Sequence, residues 1–280
     1  MMKNDSTLGA LATFTFGGRA CSDLMCRDVN RANQSSRTAE ENAAMPLAGG
    51  IMQHGHQCGM LWGAALAAGA CTQQQGGPSR KAEAAAVRAA ARAATAFRDQ
   101  NGTVNCKDLT GLDKDTPNHV LMAHFFLKGG VIACSKRVAR FGPAARAAIL
   151  DDGQPEPPGQ GPVSCAAEMA RRLGATPEQA CMAAGLAGGI GLCGGACGAL
   201  GTAVWMLSLK HAQSTGKPMN FKAPEGLALI ECFERCTGNQ FNCSDIAERR
   251  FDNVEEHAEY LKQGGCSKVL DALCAQLRST

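Results

Sequence analysis

One fifteen-residue pattern occurs twice in this chain, as LAGGIMQHGHQCGML at residues 47–61 and as LAGGIGLCGGACGAL at residues 186–200. The two stretches share L-A-G-G-I, a later glycine, Cys-Gly and a leucine, at a constant offset of 139 residues. The first stretch has His54 where the second has Cys193. A pattern repeated without a gap indicates a duplication, so we expect both parts of the chain to fold alike.

Further matched cysteines lie on both sides of the repeated stretch. One precedes it at the same offset, and two follow it, within FRDQNGTVNCKDL and GGVIACSKRV in the first half and FERCTGNQFNCSDI and GGCSKVL in the second. The sequence therefore predicts four matched cysteines in each half. These are Cys26, Cys58, Cys106 and Cys134 in the first half, and Cys165, Cys197, Cys243 and Cys266 in the second.

The segment DDGQPEPPGQGP separates the two halves. Its proline and glycine content cannot propagate a helix, so it is interpreted as a linker. We expect a first repeat at residues 1–150, a linker at residues 151–163 and a second repeat at residues 164–280.

Composition favours an all-α fold. The chain is 45% hydrophobic but only 5% aromatic, and a core of small side chains suits closely packed helices. KAEAAAVRAAARAATAFRDQ is almost entirely helix-forming, and TPEQ offers a Thr cap followed by proline. A further helix is predicted from Gly194 to His211, with Cys197 inside it. We expect two quasi-equivalent helical repeats related by a pseudo-twofold axis, with the uncharged Gly/Ala-rich helices of both halves in a shared core.

Several classes of function are excluded or disfavoured. The net charge is +3, and no stripe of basic residues with interleaved aromatics points to nucleic acid. Residues Cys181 to Leu209 carry no charge, but eight of them are glycine, which favours buried helices over a membrane span. No secretory leader is evident, so a cytoplasmic location is expected. Dinucleotide, P-loop, serine-hydrolase and HExxH motifs do not occur.

The order of one cysteine, a glycine-rich run, a Cys-Gly core and two later cysteines resembles the C-GCAxxG-C-C family of redox-active proteins. The resemblance covers nearly the whole chain twice, with cores that read CGMLWG from Cys58 and CGALGT from Cys197. Each core departs from CGAxxG at one position. Similar regions occur in split-Soret cytochromes, where they are associated with an iron–sulfur cluster. No C-x-x-C-H occurs here, so c-type haem is not implied.

Four thiolates suit an iron–sulfur cluster and also tetrahedral zinc. We expect a cluster bound by the eight matched cysteines and used for electron transfer or cluster handling with an unidentified partner; zinc is the alternative cofactor. Because Cys and His both ligate metals, the exchange between Cys193 and His54 suggests a ligand position, although a turn that tolerates either residue explains it equally. The predicted metal ligands are Cys165, Cys193, Cys197, Cys243, Cys266, His54 and Cys58.

Two other functions stay open from the sequence alone. One is a thiol–disulfide oxidoreductase with Cys197 and Cys58 as nucleophiles, because a thiol near a helix N-terminus has a lowered pKa. The other is a non-redox zinc- or copper-binding protein. Cys193 and Cys197, like Cys232 and Cys236, are spaced to share a helix face. We expect the unmatched cysteines to be packing residues and consider a homodimer. The unmatched cysteines are Cys21, Cys71, Cys181 and Cys274.

Overall fold

The computed structural model of the chain describes residues 18–279 except residues 75, 150–154, 156 and 158. The amino-terminal segment and much of the expected linker therefore lie outside the described residues. Within the described residues the regular structure is helical, and the only β-type pairings are two isolated bridges. The described part of each half contains seven α-helices, in the same order. The prediction of an all-α tandem repeat is confirmed.

The first half contains helices α1 to α7 together with one 3-10 and one π-helical turn. Its longest helix begins where the Ser79 hydroxyl accepts a hydrogen bond from the Ala82 amide at 3.2 Å, which satisfies an orphan donor of the first turn. The helices are α1 (Cys21–Ala32), α2 (Thr38–Ala43), the 3-10 turn (Met45–Leu47), α3 (Gly59–Thr72), α4 (Arg80–Asn101), α5 (Cys106–Thr110), α6 (Asn118–Met122), the π turn (Ala123–Leu127) and α7 (Gly130–Ala147).

The second half repeats this order with helices α8 to α14. Thr176 caps the second of them and forms a reciprocal box with Gln179, and Pro177 opens the helix as predicted. The helices are α8 (Cys165–Arg172), α9 (Pro177–Ala184), α10 (Gly198–Thr215), α11 (Pro224–Thr237), α12 (Cys243–Ile246), α13 (Val254–Lys262) and α14 (Ser267–Arg278).

The repeated glycine-rich stretches are left-handed loops rather than helix starts. Residues 49–53 and residues 188–192 all have positive φ, and Ile51 and Ile190 match at 61° and 66°. Non-glycine residues in this conformation cost roughly 1–2 kcal/mol each. At Gly50 a side chain would overlap the backbone of His56, and at Gly189 that of Gly195. The predicted helix start at Gly194 is therefore wrong: α10 begins four residues later, at Gly198.

The two halves pack through equivalent helices. Helix α3 of the first half lies on α9 of the second, and α10 of the second lies on α2 of the first. Gly69 permits the first contact, because a Cβ there would lie 2.0 Å from the Cys181 carbonyl oxygen. The buried Trp205 indole donates across the junction to the Glu40 carbonyl oxygen at 2.9 Å. One apolar core includes residues of both halves, as expected for a pseudo-twofold arrangement.

The uncharged segment between Cys181 and Leu209 is divided by its glycines. Helix α9 ends at Ala184 and α10 begins only at Gly198. In the described part of the chain, no helix is both long enough and apolar enough to cross a membrane.

Candidate functional site

Four cysteines of the first half line a single cavity. Each is held at or near the start of a different helix: Cys21 opens α1, Cys58 directly precedes α3, Cys106 opens α5, and Cys134 lies in the second turn of α7. We call these four residues the first cysteine group. Because four separate elements supply the thiols, only the folded repeat brings them together.

The equivalent positions of the second half also converge. Cys165 opens α8 and Cys243 opens α12, while Cys197 and Cys266 directly precede α10 and α14. A hydrogen bond with Cys165 and burial raise the pKa of Cys266, and the charges that Cys165, Cys197 and Cys243 would carry add to the rise, so Cys266 lies within electrostatic reach of the other three. We call these residues the second cysteine group.

A pair of backbone hydrogen bonds fixes two cysteines of each group. In the first half the Cys58 amide donates to the Val104 carbonyl and the Cys106 amide to the His56 carbonyl, both at 2.7 Å. In the second half the Cys197 amide donates to the Phe241 carbonyl at 2.8 Å, and the Cys243 amide donates to the Gly195 carbonyl at 2.6 Å. These bonds accompany the two isolated bridges. The glycine-rich loop thus holds the second and third cysteine of each repeat side by side.

The structural counterpart of Cys165 is Cys21, so the sequence match with Cys26 is corrected. Cys21 accepts a backbone hydrogen bond from Gly49, and Cys165 accepts one from the equivalent Gly188. Cys26 is fully buried elsewhere in α1, where the Asn30 amide donates to its sulfur at 3.7 Å.

An insertion explains the error. Helix α1 has 12 residues and α8 has 8, and the loop after α1 is one residue longer, so an ungapped offset fails ahead of α2. Cys21, which is expected to be a packing residue, packs against the core and also lines the cavity with the three matched cysteines. The available signal was a cysteine directly after a small residue at a helix start, Ala20-Cys21 and Ser164-Cys165, which a gapped comparison would have aligned.

In the first group, Cys21 and Cys58 are in hydrogen-bond contact. The Cys58 thiol donates to the Cys21 sulfur, which lowers the pKa of Cys21 despite its burial, and the same bond raises the pKa of Cys58. Burial raises the pKa of Cys106 to about 12 and that of Cys134 to about 11. The group therefore favours one thiolate, at Cys21, with neutral thiols around it.

In the second group, the thiolate at the equivalent position pairs with a different thiol. The Cys266 thiol donates to Cys165 and lowers its pKa well below the ordinary value, while burial opposes this and His257 adds to it. Burial also disfavours a charged His257, but the Cys165 charge and hydrogen bond outweigh it and raise the pKa of His257. Nδ1 of His257 lies 3.1 Å from the Val163 carbonyl oxygen, and Nε2 is buried without a hydrogen-bond partner among the described residues.

The expected nucleophiles are not the thiols with lowered pKa values. Cys197 accepts hydrogen bonds from the Ala199 and Leu200 amides of the first turn of α10, yet burial raises its pKa to about 12. The desolvation that raises the pKa of Cys197 thus outweighs the stabilisation of its thiolate by the helix N-terminus. Cys58 likewise has a raised pKa. In both repeats the thiolate is favoured at the first cysteine, which sequence reasoning left out in the first half.

His54 and Cys193 lie outside the two groups. Cys193 is in the glycine-rich loop rather than on a helix, so it shares no helix face with Cys197; its thiol donates to the Gly191 carbonyl oxygen at 3.7 Å, and burial raises its pKa against the opposing charge of Arg98. His54 places Nδ1 3.0 Å from the carbonyl oxygens of Ile51 and Met52, and its ring stacks on Phe241 at 5.8 Å. The structure does not place either residue beside the cysteines with which it was predicted to bind metal.

The remaining cysteines occupy separate positions. Cys71 contacts the Ser35 hydroxyl at 3.2 Å, and Cys232 lies 3.7 Å from the Ala272 carbonyl oxygen. Cys236 is half-buried near Cys197 and shares a polar surface cavity with Cys266. Among the described residues, no three His, Cys, Asp or Glu side chains are arranged to hold a single metal ion.

Gln57 connects the two sites. It directly precedes Cys58, and its side chain crosses into the glycine-rich loop of the other half. There the amide nitrogen donates to the Gly189 carbonyl oxygen at 3.1 Å, and the amide oxygen accepts from the Ala196 amide at 2.9 Å. Ala196 directly precedes Cys197, so one buried side chain sets the position of both loops that carry the cysteines.

Neither curated proteins nor solved structures gave a match. A family match covers residues 19–141 and residues 163–279, and each segment contains one complete four-cysteine group. The chain therefore belongs, as a tandem pair of repeats, to the family described as "Putative redox-active protein (C_GCAxxG_C_C)".

Proposed function

We propose that the protein is a dithiol–disulfide oxidoreductase with one redox centre in each repeat. The observation that carries the proposal is the contact between two cysteines in each group, Cys21 with Cys58 and Cys165 with Cys266. Neighbouring thiols of which one is a thiolate can be oxidised to a disulfide and reduced again without rearranging the fold.

The chemistry is a two-electron exchange. The Cys21 thiolate attacks an oxidant, and the Cys58 sulfur then displaces the reduced oxidant and forms the disulfide, losing its proton. In the second repeat Cys165 and Cys266 take these two parts. On reduction Cys165 is the better leaving group, because its thiolate is stabilised by His257.

An iron–sulfur cluster is the second candidate, favoured by the convergence of four buried or partly buried thiols in each repeat. Four cysteines form a complete ligand set for such a cluster. The residues that would hold it are the first and second cysteine groups as defined above, not Cys26, Cys193 or His54. Backbone amides already directed at Cys21, Cys165 and Cys197 suit negatively charged ligands. A bound cluster would supply one-electron transfer.

A single zinc ion fits less well, because the described residues offer no three-ligand arrangement for one ion. With either redox chemistry, the cellular partner is the protein or molecule that exchanges electrons with these centres.

The deciding experiment is anaerobic purification followed by intact mass measurement, iron and acid-labile sulfide assays, and mild oxidation. The proposal expects a colourless protein with 15 thiols that loses two thiols per oxidised centre and regains them with dithiothreitol. Stoichiometric iron and sulfide with visible absorption would instead establish the cluster. A protein free of iron whose thiols form no reversible disulfide would contradict both candidates.

A further inference from the structure

The first cysteine group opens into an apolar cavity of about 290 Å³. All four of its cysteines contribute to the wall. Much of the remaining lining is apolar and includes Met60, Leu109, Leu121 and Phe125. A molecule bound there would touch the redox-active sulfurs directly while surrounded by hydrocarbon side chains.

Two of the three charged side chains that line this cavity are held in ion pairs, and the third, Arg137, is held by hydrogen bonds to a backbone carbonyl and to Cys134. Arg19 pairs with Asp23 at 3.2 Å, and Arg137 donates to the Leu109 carbonyl oxygen at 3.2 Å. Asp113 pairs with Lys107 at 2.6 Å. A phosphate- or carboxylate-bearing ligand would have to break such pairs and be desolvated in an apolar space, which is costly. The cavity is thus suited to an uncharged ligand.

The entrance is apolar as well. Met122 and Phe126 line the cavity and remain 53% and 61% exposed to solvent. They lie on α6 and the π turn that follows it. Large exposed apolar side chains grouped at the mouth of a cavity mark a path by which an apolar molecule enters.

We propose that this cavity binds a small quinone as the electron acceptor of the Cys21–Cys58 pair. The inference rests on the proposed dithiol function. The ligand has to be uncharged, small enough for the cavity, and able to accept two electrons from the adjacent cysteines together with two protons. Quinones meet all three requirements, whereas flavin and nicotinamide cofactors carry phosphates that this lining does not accommodate.

The reaction balances without another reagent. The Cys21 thiolate adds to the quinone, and Cys58 then attacks the Cys21 sulfur, so that a sulfur–sulfur bond forms and the bond to the quinone breaks. The quinone leaves with two electrons. The Cys58 thiol supplies one of its two new protons, the solvent supplies the other, and the product is the hydroquinone.

The test is anaerobic oxidation of the reduced full-length protein by 2,3-dimethyl-1,4-naphthoquinone, whose ring carbons beside the carbonyls are already substituted. Loss of quinone absorbance is followed, and disulfides are mapped by peptide mass spectrometry. Leu121→Asp places a charge on the cavity wall. Leu127→Asp makes the same change a few residues away, at a side chain that is 84% exposed and outside the lining.

The expected result is one hydroquinone formed per Cys21–Cys58 disulfide in the native protein. Leu121→Asp should slow the reaction at least about tenfold, as for a loss of about 1.4 kcal/mol, and Leu127→Asp should leave the rate within about twofold. Leu121→Gln adds polarity without charge, so its rate should lie between those of the two Asp variants. It replaces Leu121→Asp in the test if that variant does not fold.

Two outcomes overturn the quinone proposal. One is a native protein that stays reduced with the quinone although diamide forms the Cys21–Cys58 disulfide. The other is equal rates for the Leu121 and Leu127 variants, which would indicate reaction outside the cavity. If diamide also forms no such disulfide, the dithiol function itself fails, so the two failures are distinguishable.

Discussion

The two repeats bring together four cysteines in the same chain order but join them in different pairs. In the first repeat the Cys21 thiolate is held by Cys58, the second cysteine; in the second repeat Cys165 is held by Cys266, the fourth. A deletion accounts for the change. Three residues separate Gly130 from Cys134, whereas Gly265 directly precedes Cys266, so Cys266 lies ahead of its helix in a left-handed conformation, with φ 66°.

The surroundings of the two thiolates differ as well. The first centre faces the apolar cavity described above, and the second has the buried His257 beside its thiolate. The duplication preserved the backbone features that position the cysteines, namely the left-handed loops, the hydrogen-bonded cysteine amides and the helix starts. What diverged is the environment of the sulfurs. We infer that the repeats kept one means of assembling thiols and acquired different redox properties.

The largest expected effect comes from removing Cys21. Cys21→Ser should abolish the first-repeat disulfide completely, because its partner Cys58 then has no adjacent thiolate, while the Cys165–Cys266 disulfide still forms. Peptide mass spectrometry after mild oxidation measures both. The matched control is Cys26→Ser, five residues along the same helix, which should leave both disulfides intact. Loss of the first disulfide in the Cys26 variant and not in the Cys21 variant would support Cys26, rather than Cys21, as the counterpart of Cys165.

Removing the connection between the repeats should be the next largest effect. Gln57→Ala leaves the Gly189 carbonyl and the Ala196 amide buried without their partner, which should cost about 1–3 kcal/mol in the free energy of unfolding. Urea denaturation followed by circular dichroism measures it. The control Gln240→Ala replaces an exposed glutamine, and its free energy of unfolding should stay within about 0.5 kcal/mol of the native value. Equal stability of the two variants would show that Gln57 does not couple the loops.

His257 should set the second centre apart from the first. A protonated His257 stabilises the reduced form through the Cys165 thiolate, so His257→Gln should lower the reduction potential of the Cys165–Cys266 pair. Equilibration in glutathione buffers with mass spectrometric readout measures it. The Cys21–Cys58 pair of the same molecule is the internal control and should be unchanged.

The pH dependence of this effect follows from the pKa shifts. The pKa of His257 is raised above 6.5 and that of Cys165 is lowered below 9.0. The stabilisation is present only while the histidine is charged and the thiol is ionised. It is therefore lost as pH rises through the raised pKa of His257, and lost again as pH falls through the lowered pKa of Cys165. A difference between variant and native protein that persists above the raised His257 pKa would contradict the ion pair.

The smallest expected effect is at Cys193. Because this side chain lies in the glycine-rich loop beside Arg98, away from the second cysteine group, Cys193→Ser should change neither the disulfide map nor the metal content. Thiol counting and iron assay check this. A loss of bound iron in this variant would support the sequence-based prediction that Cys193 is a ligand.

Much of this fold follows from local sequence. The alanine-rich α4 follows from helix propensity and the start of α9 from its cap, and the ungapped glycine-rich stretches predict the duplication. The left-handed loops could not be predicted, because Ile51, Met52 and Gln53 adopt positive φ against their own preference. Packing of both halves overrides that local cost.

The site was predicted less completely. Seven of the eight group positions follow from the matched order of cysteines in the two halves, although that match pairs Cys165 with Cys26 and not with Cys21. Cys21 was missed because α1 gained residues that no offset of fixed length can accommodate. His257 was missed because it has no histidine counterpart in the first repeat and shows no ligand spacing; only tertiary packing brings it to Cys165.

The most direct test of the account is a disulfide map of the native protein after mild anaerobic oxidation, with iron and sulfide measured on the same sample. We predict cross-linked peptides joining Cys21 to Cys58 and Cys165 to Cys266, in a protein without iron. Cross-links that use Cys26 in place of Cys21 would contradict this account, and so would disulfides that join corresponding cysteines in both repeats. Stoichiometric iron and sulfide with no disulfide would contradict the dithiol function.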